Sequence, residues 1–124
     1  MEISRLTEAQ QKALLDILIL AMYADARLDL GEDARLQRLL EAMGVNTEYD
    51  RDRYLDDAIT RLRNHSQNAQ VARTHAVELA KSFTDPEQCR GVYALIEQQV
   101  NSDNSVVPAE HEFLTAMLAA LKPQ

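Results

Sequence analysis

The feature that most restricts how this chain can fold is a frame that occurs twice. Asp25 to Glu32 reads Asp-Ala-Arg-Leu-Asp-Leu-Gly-Glu, and 78 residues further on (103 − 25) Asp103 to Glu110 reads Asp-Asn-Ser-Val-Val-Pro-Ala-Glu. In each copy an acidic residue closes one apolar-periodic segment, an aliphatic residue follows (Leu28, Val106), and a glutamate opens the next segment. Both copies read as helix, acidic turn, helix, because the apolar residues on either side recur at helical spacing. Aligning Leu14 to Met43 with Val92 to Leu121 leaves Asp25, Glu32, Leu36, Leu40 and Ala42 as the identical positions, so the repeat is one of pattern.

Two such units and a linking segment predict an all-α, compact single-domain bundle of about six to seven helices with a pseudo-twofold repeat. The halves are about 8–44 and 85–122, joined by helices within 45–83, and one domain spans 1–124. A 46% hydrophobic content with 3 Gly and 3 Pro in 124 residues supports helices over strand-and-turn architecture. Thr7 to Gln10 has capping-box spacing, so the first helix starts there and runs to about Ala24. Its apolar residues Leu14, Leu15, Ile17, Leu18, Ala21 and Met22 form a stripe broad enough for burial on more than one side. A second helix is predicted over Leu30 to Met43, with Gly44 closing it in a left-handed cap. Tyr54, Leu55, Ala58, Ile59 and Leu62 mark a third helix, whose charged face, including Asp57 four residues before Arg61, reads as solvated. Val71, Ala72, His75, Ala76, Leu79 and Phe83 mark a fourth, with alanines spaced for close helix contact. Asp85-Pro86 opens a fifth helix, and Phe113, Leu114, Met117, Leu118 and Leu121 form the face of a sixth.

The net charge of −7 divides as −3 over residues 1–44, 0 over 45–83 and −4 over 84–124. That balance disfavours nucleic acid and anionic lipid and favours cations or a basic protein surface, although an acidic excess also serves solubility. The single Cys89 excludes an intramolecular disulfide and suits a reducing compartment, and no apolar run is long enough to span a bilayer. The expectation is a cytoplasmic protein with no membrane insertion, protein partners and no nucleic-acid partner. Helices three and four could form a homo-oligomer face or complete the core. No phosphate loop, nucleophile elbow or zinc-protease helix is present, so no enzyme activity is expected.

The doubled pattern of Ala24-Asp25, Leu28 and Glu32, then Asp103, Val106, Pro108 and Glu110, resembles the tellurite-resistance TerB-like family over nearly the whole chain. In that family a helix-turn-helix with Asp-Gly-x-aliphatic and a downstream Glu occurs twice in a helical bundle of about this size. The resemblance implies a role in bacterial stress response and tellurite resistance, with the acids as a metal site. The Gly that follows each Asp in the family is Ala26 and Asn104 here, and Val107 stands where the first copy has Asp29. Ala adopts a left-handed turn at a cost of about 1 kcal/mol, so the first turn is expected to differ in shape.

Asp25 and Asp103 end helices, where the macrodipole disfavours a carboxylate by about 0.3–1 kcal/mol. One reading has the two turns approach across the pseudo-twofold axis, so that Asp25, Glu32, Asp103 and Glu110 converge on a divalent cation such as Mg, Ca or Mn. The other has Glu32 and Glu110 simply capping their helices. Asp29 fits an N-cap better than a ligand and stands as a peripheral candidate. His111, between Glu110 and Glu112, raises a transition-metal site. His75 reads as a buried imidazole, His65 as a loop residue, and Cys89 as a small core hydrophobe.

Overall fold

Local polar groups set where the helices begin and end. Gln10 N–H donates to Thr7 Oγ1 at 3.1 Å while Thr7 N–H donates to Gln10 Oε1 at 3.1 Å, the reciprocal pair of a capping box. Asp85 Oδ1 likewise accepts from the Glu87 and Gln88 amides at 2.8 and 3.2 Å. The computed structural model describes residues 3–24, 34–100 and 108–121, and among these the chain is all-α. The helices are α1 (Glu8–Ala24), α2 (Ala34–Ala42), α3 (Glu48–Leu62), α4 (Ala69–Ala80), α5 (Pro86–Val100) and α6 (Pro108–Leu121), with 3-10 turns at Ile3–Arg5 and Arg63–His65. Thr47 and Asn68 cap α3 and α4 in the same manner as Thr7 caps α1. The expected start of the second helix at Leu30 lies outside the described residues. Its end is as the sequence predicts: Gly44 has φ of 93°, and the Val45 and Gly44 amides bond back to Leu40 and Glu41 in a Schellman arrangement.

α1 is the central element. Every residue from Ala13 to Met22 is buried, Asp16 included. It packs most extensively against α4 and also contacts α5, α6, α2 and α3, while α6 lies on α4 and α5. Ala72, Ala76 and Ala80 form an i, i+4, i+8 line of fully buried small residues on α4, which lets a neighbouring helix backbone approach closely. Two sequence expectations are corrected. Phe83 is buried but follows the end of α4, and Leu118 is 47% exposed, because the core-facing line of α6 runs through Phe113, Met117 and Leu121.

The repeat has a physical counterpart. Gln10 Nε2 donates to Gln88 Oε1 at 3.3 Å, and these residues are 78 apart, the same offset as the two acidic frames. Equivalent capping residues of the two halves thus touch each other. Gln10 Nε2 also donates to the Ser82 carbonyl at 3.0 Å, tying the starts of α1 and α5 to the segment that follows α4. Among the described residues no helix is long and apolar enough to cross a membrane.

Candidate functional site

Of the acids singled out by the repeat, Asp25, Asp29, Glu32 and Asp103 lie outside the described residues, and Glu110 lies within them. Glu110 sits in the first turn of α6 and is 0% exposed. It occupies the same face as Phe113 and Met117, three and seven residues on, so the helix turns this carboxylate toward the core. Removing a carboxylate from water costs several kcal/mol before compensation, so the enclosed Glu110 depends on interactions within the protein. Gln99, at the end of α5, is also 0% exposed. Two wholly enclosed polar side chains therefore bracket the second acidic frame.

The two helices that lead into the acidic frames run in the same direction. Their starts meet at Gln10 and Gln88, and further along Leu18 of α1 and Leu95, Gln98 and Gln99 of α5 line one cavity. From the first meeting point to the second is about 12 Å along α1 and about 10 Å along α5 at 1.5 Å per residue. Ala24 and Val100, the last residues of these helices, accordingly lie toward the same end of the bundle.

The His111 grouping is not assembled. Successive residues on a helix point about 100° apart. Glu110 is enclosed, whereas His111 and Glu112 are exposed and Glu112 Oε2 accepts from Arg73 Nη1 of α4 at 2.7 Å. Among the described residues no group of three or more His, Cys, Asp or Glu side chains is arranged to hold a metal ion. Glu110 alone of the described candidates offers an oxygen donor, of the hard type that Mg, Ca and Mn take.

A second polar cluster lies where α1 meets α3 and α4. Asp16 is 4% exposed, and the Arg61 guanidinium grips it with two bonds, Nε to Oδ2 at 3.0 Å and Nη2 to Oδ1 at 2.6 Å. The expected surface partnership of Arg61 with Asp57 is thus replaced by a bidentate pair reaching into the core. The hydrogen bond to Asp16 raises the Arg61 pKa further, and burial pushes the neighbouring Tyr54 phenol up. Sequence reasoning passed over Asp16, although one signal was available: it is the only charged side chain between Ala13 and Met22.

The 3-10 turn after α3 stacks His65 on His75 of α4, with ring centroids 3.8 Å apart and planes 8° from parallel. Both rings border a cavity of about 280 Å³ with Gln70, Val71, Thr74 and Glu78. Burial lowers the His75 pKa from its ordinary 6.5 and the adjacent His65 lowers it further, against the opposing pull of Asp16 and Glu78. A depressed imidazole pKa means that the unfolded chain binds the proton more readily. Its stabilising contribution is complete above about pH 6.5 and is lost as pH falls through the lower folded value. Urea unfolding of wild type and His75→Phe at pH 7.5 and 5.5 should therefore give a smaller pH difference for the variant. Cys89 is buried with its Sγ donating to the Phe83 carbonyl at 3.3 Å, and burial raises its pKa, so the thiol serves packing.

Comparison of the chain with protein-family models, with curated proteins and with solved structures gives no match.

Proposed function

We propose that the chain is a non-enzymatic, TerB-like helical module of the cytoplasm that binds a divalent cation between its two acidic turns and serves bacterial stress response and tellurite resistance. The observation that carries the cation reading is the enclosure of Glu110 on the core-facing side of α6, beside the second acidic frame. The shared direction of α1 and α5 supports it further, since Ala24 and Val100, the last described residues before the two acidic frames, lie toward one end of the bundle. Carboxylate oxygens without sulfur or imidazole favour Mg, Ca or Mn over softer metals.

Calorimetric titration with Mg, Ca, Mn and Zn tests this reading. Heat is expected with the first three, together with a stability gain of about 1.4 kcal/mol at ten times Kd. Asp103→Asn should abolish both. No heat and unchanged unfolding at millimolar metal would remove the cation.

The charge division of −3, 0 and −4 favours a second reading, an acidic scaffold that meets a basic protein surface without metal. In that case Asp25→Asn with Asp103→Asn weakens partner capture while leaving the response to metal unchanged.

A further inference from the structure

We propose that the cavity shared by α1, α2 and α5 binds a small amphipathic anion, an acidic head on a short apolar body. The cavity is about 280 Å³, just below the range of about 300–1,000 Å³ for small-molecule sites and so suited to a small ligand. Its walls are Leu18 of α1, Leu39 and Ala42 of α2, Leu95 of α5 and Ile3 of the N-terminal turn. An apolar hollow of this kind takes up hydrocarbon, because the surface it removes from water is apolar on both partners. What selects the head group is Arg38, which also lines the cavity. Arg38 is exposed and has no hydrogen bond or ion pair with any described residue, unlike Arg51, Arg61 and Arg73. A guanidinium at the edge of an apolar hollow, in a chain of net charge −7, is a local reversal of sign. It offers a carboxylate or a phosphate two parallel donors at the point where the apolar walls meet solvent. Gln98 of α5 adds a neutral amide to the same lining. A cation is disfavoured there by Arg38, and an uncharged hydrocarbon leaves the guanidinium unused.

Octanoate and octyl phosphate, with octanol and octylamine as controls, test the proposal by backbone amide NMR titration of the full chain. Saturable shifts centred on Leu39, Leu95 and Gln98 are expected with at least one anion, and the stronger of the two identifies the head group. Arg38→Gln should weaken that anion about tenfold, the loss of one charge-assisted contact, and change octanol less than twofold. Ala42→Phe, at an exposed position on the cavity wall, should block both without unfolding the chain. Equal binding of octanoate, octyl phosphate and octanol would overturn the proposal, as would binding that Ala42→Phe leaves intact or the absence of any saturable shift.

Discussion

Arg61→Met is expected to destabilise the protein by about 3 kcal/mol, more than the reciprocal change Asp16→Leu. The asymmetry follows from where the partners sit. The Asp16 side chain is 6% exposed, whereas that of Arg61 is 35% exposed. Removing the arginine leaves a carboxylate inside the α1 interface with no cation beside it. Removing the aspartate leaves a guanidinium that can turn to water, and leucine adds apolar contact on the central helix. The double variant should recover most of the loss, because replacing both members of a buried pair by apolar groups is often close to neutral. Urea unfolding of the four proteins supplies the cycle, and equal losses for the two single variants would refute the asymmetry.

Ala76→Leu is expected to cost about 3 kcal/mol, the upper part of the usual range for overpacking. Ala76 is 0% exposed on the helix that packs most extensively against α1. The added carbons must either push α4 away from its neighbours or force side chains off their preferred rotamers. Gln70→Leu, at an exposed position of the same helix, adds apolar volume without that conflict and should stay within about 0.5 kcal/mol of wild type. A thermal unfolding series compares the two, and a neutral Ala76→Leu would show that the α4 contacts are looser than the alanine line implies.

The sequence was informative wherever the causes were local. Thr7 with Gln10, Asp85 with Pro86, and Gly44 each act within a few residues, and each appears in the fold as its chemistry requires. The central position of α1 was legible from the width of its apolar stripe. What was not legible depended on distant partners. Arg61 has Asp57 one turn away, but its actual partner is 45 residues away on another helix. The stacking of His65 on His75 depends on how the 3-10 turn after α3 packs against α4. Leu118 satisfies the helical spacing but falls on the flank of α6, since periodicity gives the face only to within a residue or so. The core-facing position of Glu110 could have been read from its distance to Phe113 and Met117, yet its acidity placed it with the turn. Asp25, Asp29, Glu32 and Asp103 fall outside the described residues.

The enclosure of α1 also bears on how the chain is made. Its main partners, α4 and α5, are translated after it, with α5 beginning at Pro86. At about 5–20 residues per second, the interval between the emergence of α1 and of α5 is on the order of several seconds. Until α4 and α5 have emerged, α1, buried at every position from Ala13 to Met22, lacks its principal native partners. Nascent chains that stop short of α4 thus present the ribosome's surroundings with a bare hydrophobic segment, a natural substrate for chaperones or for proteolysis.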